Sequence, residues 1–178
     1  MDKRIILRQF DIEKDLLFFH KVHSDADSMR YYGMREFKST DESRKLMMDY
    51  VESEQRNRSV HRVICDAQNL EYMGEIGLFN IHPVHHRAEA YYILLPEFRK
   101  RGICIEASIL FFKEAFEQRN INRVQVLVDS RNHDAISSFS GIGFSFEGKL
   151  QQYECEDGVY IDIVILSLIK TRYYDLYG

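Results

Sequence analysis

Tryptophan is absent from this 178-residue chain, and proline occurs only twice. With nine glycines besides, the composition excludes collagen-like and low-complexity character. Cysteine is scarce as well. Cys65, Cys104 and Cys155 share no C-x-x-C spacing, and an odd set fits the thiols of a reducing compartment rather than a disulfide framework. No run of about 18 apolar residues could cross a membrane. The opening MDKRIILRQFDIEKD scatters acids and bases where a signal peptide would be apolar, so the expectation is a cytoplasmic protein. An excess of one charge is also missing. Lys plus Arg number 24 against 28 Asp plus Glu, a net charge of −4, which argues against bulk electrostatic binding to nucleic acid or an anionic membrane.

What is present is apolar mass. Hydrophobic residues make up 45% and aromatics 13%, enough for a packed core and far from a disordered composition. No repeat, charged tail or Gly/Ser linker divides the chain, so residues 1–178 read as one domain burying about 70% of its unfolded surface.

Residues 4–9 predict a first strand. Asp11 then caps a helix carrying Leu16, Phe19, His20, Val22 and His23 at helical spacing. A second helix is expected over Ser28–Tyr32 and a third from Thr40 to about Arg56. The period then changes to strands at 59–66, 72–81 and 88–95, an antiparallel meander. Pro96 closes the last of these, and an amphipathic helix follows over Ile105–Arg119 with Ile109, Phe112, Ala115 and Phe116 on one face. A strand at 122–128, a helix over 132–140, and a hairpin of 144–155 with 159–168 turning at Asp157-Gly158 complete the order. Tyr173, Tyr174 and Tyr177 in the tail read as packed or interfacial.

The chemistry concentrates at 88–106, AEAYYILLPEFRKRGICIE, where a strand runs through a basic turn into a helix. Such a turn aims backbone N–H groups and the positive end of a helix at one point, an anion site suited to a diphosphate. Basic residues merely decorating a helix start are the competing reading. No GxxxxGK is present, which disfavours a nucleoside-triphosphate site.

The run Arg99-Lys100-Arg101-Gly102-Ile103-Cys104 resembles the R/Q-x-x-G-x-G/A loop of the GNAT superfamily of acetyl-CoA-dependent N-acetyltransferases. The blocks at 87–107, 122–150 and 157–170 resemble the branch that contains the ribosomal-protein N-terminal acetyltransferases, and RQFDIEKDLLFF and DADSMRYYG fit it more loosely. The resemblance implies an α/β (α+β) fold with a mixed, mostly antiparallel seven-stranded sheet flanked by helices, its fourth and fifth strands splayed. It implies acetyl-CoA as co-substrate, no metal, and direct transfer to a primary amine. Backbone N–H groups of Arg99, Lys100, Arg101, Gly102, Ile103, Cys104 and Ile105 would hold the pyrophosphate. Main-chain groups of Ile93, Leu94 and Leu95 would meet the pantetheine arm and thioester, with Asn132 contacting the same region.

Departures from the family pattern accompany the match. Cys104 replaces a Gly or Ala, and Lys100 a frequent Gly. Phe139 stands where many members carry the Tyr that protonates the departing thiolate, and Phe has no proton to give. Ala135 stands where ribosomal-branch relatives often carry Ser. Ser137, Ser138 or water would then act as the acid. Glu154 matches a glutamate proposed as base in that branch, and Glu89 and Glu75, on the strands bearing or flanking the thioester contacts, are further candidates.

The leading reading is acetylation of a protein N-terminal α-amine, ribosomal in type. Such an amine, with pKa about 7.7–8, is already roughly a tenth neutral at pH 7, whereas an alkyl amine near about 10.4 is neutral only a few times in ten thousand. The alternatives are a small amine such as a polyamine or amino-sugar, with Phe139 counting against the polyamine, and a non-catalytic CoA-binding module. A homodimer is in keeping with the resemblance, with the apolar C-terminal strand and tail tyrosines as contact surface. HPVHH (82–86) and His20/His23 lack ligand spacing for a metal. His85 or His86 lining the acceptor groove is a secondary expectation.

Overall fold

A computed structural model describes residues 4–178. The elements are β1 (Ile5–Arg8), α1 (Ile12–His23), α2 (Ala26–Met29), α3 (Thr40–Gln55), β2 (Val60–Asp66), β3 (Tyr72–His82) and β4 (Arg87–Leu94). A 3-10 turn (Pro96–Phe98) leads to α4 (Ile103–Gln118), β5 (Arg123–Asp129), α5 (His133–Ile142), β6 (Ser145–Glu156), β7 (Val159–Ile169) and α6 (Lys170–Tyr177). One seven-stranded sheet runs β1-β2-β3-β4-β5-β7-β6. Every pairing is antiparallel except β4–β5.

Local chemistry explains most boundaries. The Asp11 carboxylate accepts from the Lys14 N–H to start α1, and acids in its first turn and bases in its last complement the helix dipole. The second helix begins two residues earlier than expected, at Ala26, because Asp25 accepts from the Ser28 N–H at 2.8 Å and so makes Ser28 part of its first turn. The β6–β7 hairpin turns at Asp157 (φ 48°) and Gly158 (φ 81°), the pair of positive φ values that a two-residue hairpin of matching twist requires.

The tail, left without assigned structure by the sequence, is helix α6. It seats Tyr173 in the core, with its hydroxyl donating to the Ile109 carbonyl, while the Tyr177 hydroxyl donates to that of Ile142. Tyr173 is therefore turned inward, Tyr177 stays partly exposed, and β7 lies between β5 and β6 rather than at an edge.

The β4–β5 pair positions the site. Its ladder covers only Arg87–Glu89 against Arg123–Gln125. Beyond it, β4 stays registered on β3 as far as Leu94, and β5 stays on β7 as far as Asp129. Each strand follows its antiparallel neighbour, so the two part company and a gap opens at their C-terminal ends. Among the described residues no helix is long and apolar enough to cross a membrane.

Candidate active site

The basic loop turns through two left-handed residues, Lys100 (φ 59°) and Gly102 (φ 76°). Gly102 is the N-cap of α4 and has no side chain to occupy the first-turn amides, so the N–H groups of Ile103, Cys104 and Ile105 lack helical partners and converge outward. Glu106, the acid of that turn, is neutralised by Arg4 at 2.7 Å. The loop from Lys100 to Ile105 thus presents the bare helix start that an anion site of the expected kind would need.

Arg99 departs from its expected role. Its N–H bonds the Pro96 carbonyl, and its guanidinium turns inward to the Leu94 carbonyl (3.1 Å) and the Ser28 hydroxyl. It is a strut tying the end of β4 to α2 rather than part of the cradle.

Strand register also corrects the thioester contacts. The Leu95 N–H donates to the Met73 carbonyl, and the Ile93 carbonyl lies 2.3 Å from where a Cβ on Gly74 would sit. Ile93 and Leu95 therefore spend their backbone groups on β3. By alternation, Tyr92 and Leu94 point theirs into the gap. The Leu94 carbonyl being taken by Arg99, its N–H and the Tyr92 backbone remain to meet a ligand.

Across the gap, Asn132 caps α5, its Oδ1 accepting from the Ala135 N–H at 3.1 Å, which leaves its NH2 to bond a ligand. Phe139 is buried, with its ring 4.9 Å from that of Tyr92 and 5.2 Å from that of Phe144. Ser137 is exposed, whereas Ser138 is half-buried beside Tyr92. Burial pushes the Cys104 thiol up to about 12, against a smaller opposing pull from Arg99, so it stays protonated and unreactive. Cys104→Ala is expected to leave turnover unchanged in a thiol-release assay.

The three glutamates fall in different places. Glu89 pairs with Gln125 in the closed part of the sheet, and its carboxylate meets Asn80 at 3.3 Å. It lies four residues back along β4 from Ile93, about 13 Å at strand rise. The geometry does not bring it to the gap. Glu154 is half-buried near the α2–α3 loop, its Oε2 3.7 Å from where a Cβ on Gly33 would stand. Burial, then the neighbouring charges of Glu156 and Asp129, hold its pKa above the usual carboxylate value. Arg131 engages Asp129 (Nε–Oδ1 2.9 Å) and Glu156 (3.6 Å), and among the described residues no cation pairs with Glu154.

Glu75 sits directly across β3–β4 from Ile93 and is wholly buried, hydrogen-bonded to His23 at 2.6 Å. The His23 ring lies between Phe19 (4.1 Å) and Phe37 (5.4 Å). Nearby, the Tyr91 hydroxyl bonds His61 at 2.8 Å, and burial, then the Arg62 charge, drive the His61 pKa down to about 3. Gly77 makes this packing possible, since a Cβ there would come within 2.4 Å of the Tyr91 ring. The sequence marked His23 only by its helical spacing, and nothing local links it to a residue 52 positions away.

The HPVHH histidines lie on the β3–β4 turn, at the closed end of the sheet, where His82 and His85 stack at 4.3 Å. They do not line the gap, which corrects the expectation for His85 and His86.

The profile of the Acetyltransferase (GNAT) domain family matches residues 4–145. A spermidine N(1)-acetyltransferase of Escherichia coli K12 is 28% identical over 160 residues, 90% of this chain and 83% of its own length. A crystal structure of the Vibrio cholerae spermidine N-acetyltransferase in complex with CoA and spermine superposes with a TM-score of 0.85, at 24% identity, over 96% of this chain and 98% of its own. A Bacillus subtilis protein provisionally named a ribosomal N-acetyltransferase is 32% identical, but over 100 residues, 56% of this chain and 55% of its own. The ribosomal branch is therefore not singled out. The blocks that suggested it carry the cofactor loop, the α5 region and the last strand, which do not by themselves distinguish acceptors. Together the splayed strands, the bare helix start and the profile match make this chain a member of the GNAT family, acetyl-CoA-dependent N-acetyltransferases.

Proposed function

We propose that the enzyme acetylates a primary amine of a small polycation of the spermidine type, rather than a protein N-terminus. The observation that carries this reading is the group of carboxylates at the open end of the gap. Glu154, Glu156 and Asp129 gather there with Arg131 as the neighbouring cation, leaving Glu154 unpaired among the described residues and its pKa raised. A cationic acceptor relieves that repulsion on binding. The similarity to spermidine acetyltransferases along nine-tenths of the chain supports the same choice.

In this reading Lys100–Ile105 hold the CoA pyrophosphate with their N–H groups. The Leu94 N–H and the Tyr92 backbone orient the pantetheine arm and the thioester, opposite the Asn132 amide. An alkyl amine with pKa near about 10.4 costs roughly 4–5 kcal/mol to deprotonate at pH 7. A base at the gap is correspondingly valuable, and Glu154 takes the proton directly or through water. Glu75, spent on His23, ties β3, the strand paired with β4, to α1.

Acetyl-CoA-dependent thiol release tests the choice of acceptor, run with spermidine and with a peptide bearing a free Ala or Ser terminus. The expected result is a higher kcat/KM with spermidine. Release with the peptide alone would overturn the polyamine reading and restore the N-terminal one.

A further inference from the structure

A thiolate leaves when the thioester is cleaved, and the family's usual donor is missing at Phe139. The helix bearing Phe139 offers two hydroxyls nearby. Ser137 is exposed, and Ser138 is half-buried and turned toward β4. The side chain it meets there is Tyr92. This tyrosine lies in the splayed stretch of β4, three residues past the last rung shared with β5 and two before Leu94. Its backbone groups point into the gap. Its ring packs on Phe139 at 4.9 Å, tilted by 42°, and Cys104, Ser138 and Asp134 are the groups near enough to act on its hydroxyl. A phenol is therefore held against the ring whose own hydroxyl has been lost, but it arrives from the strand instead of the helix.

We propose that the Tyr92 hydroxyl protonates the departing CoA sulfur, in place of the tyrosine that Phe139 supplants. The amine nitrogen forms its bond to the acetyl carbon, the carbon–sulfur bond breaks, and the electron pair leaves on sulfur. Tyr92 gives its proton to that sulfur, yielding the free thiol. The proton lost by the amine passes to the base and solvent, and solvent returns one to the phenolate. Burial holds the Tyr92 pKa above that of a free phenol, with the Cys104 thiol adding to the effect and a hydrogen-bonding contact from Ser138 opposing it. The group is thus protonated, and able to donate, throughout the neutral range. The proposal rests on acetyl transfer at the gap and not on which amine is the acceptor.

Single-turnover thiol release tests it, since this isolates the chemical step from product release. Tyr92→Phe is expected to slow that step roughly 10²-fold. CoA affinity and melting temperature should stay at the parent values, because only one oxygen is removed. The double variant Tyr92→Phe with Phe139→Tyr is expected to recover most of the rate, since it returns a hydroxyl to the neighbouring ring. A tyrosine that merely packs would not be rescued in this way. An unchanged single-turnover rate in Tyr92→Phe overturns the proposal, as does a loss that Phe139→Tyr fails to restore. A parent enzyme inert toward every amine would instead contradict the transfer reaction itself.

Discussion

Replacing Glu154 by Gln is expected to lower kcat/KM for the amine roughly 10²-fold or more, while the melting temperature stays level or rises. The two effects separate because the carboxylate is poorly placed for stability and well placed for chemistry. Glu154 is half-buried, lacks a cation partner among the described residues, and faces the charges of Glu156 and Asp129, so its folded pKa lies above the usual value. The sign follows directly. A carboxyl whose pKa rises on folding favours the fold when protonated, and its ionisation at higher pH works against the fold. Gln removes that cost and also removes the group proposed to accept the proton.

The pH profile gives a second readout. Above the Glu154 pKa the rate should follow the neutral amine alone, rising in first order with hydroxide. Below it the parent enzyme must deprotonate both groups, and the dependence should steepen to second order, whereas Glu154→Gln should stay first order throughout. Equal rates and superimposable profiles for the two proteins would remove Glu154 as the base.

His23→Leu is expected to destabilise the fold by about 3–5 kcal/mol, lowering the melting temperature by roughly 10 °C in a chain of this size. Leu keeps an apolar body between Phe19 and Phe37 but leaves Glu75 buried with no partner. The cost comes from leaving a buried carboxyl group without its hydrogen-bond partner, not from the net worth of the pair. His23→Leu combined with Glu75→Leu should therefore recover much of the stability. Urea unfolding of the single and double variants measures both quantities. A single-variant loss under about 1 kcal/mol would show that the pair behaves as an exposed contact and does not anchor β3 to α1.

How far the sequence could be read depended on the range of the interaction. Asp11, Pro96 and Asp157-Gly158 act within a few residues, so their helix start, strand end and hairpin turn were readable directly. The bare start of α4 was also visible, because Gly102 and the basic loop are contiguous. The inward turn of Arg99 is not legible because its partners, Leu94 and Ser28, are fixed only once β4 meets α2. Ile93 and Leu95 are read alongside Leu94, and Tyr92 is passed over, for a similar reason. Which alternate residues face the gap is decided by the β3 register, and a strand read alone has no register. The family resemblance supplied the splay and the co-substrate. It pointed to the ribosomal branch because the matching blocks lie mainly on the CoA side, while the proposed acceptor side also draws on the α2–α3 loop, which is distant in sequence from them.

A crystal structure of the enzyme with CoA tests the central claim most directly, that the β4–β5 gap and the start of α4 form the co-substrate site. The pyrophosphate is expected on the N–H groups between Lys100 and Ile105, with the pantetheine arm in the gap bonded to the Leu94 N–H and the sulfur near Tyr92. CoA bound away from α4, or a pantetheine arm running outside the gap, would contradict it.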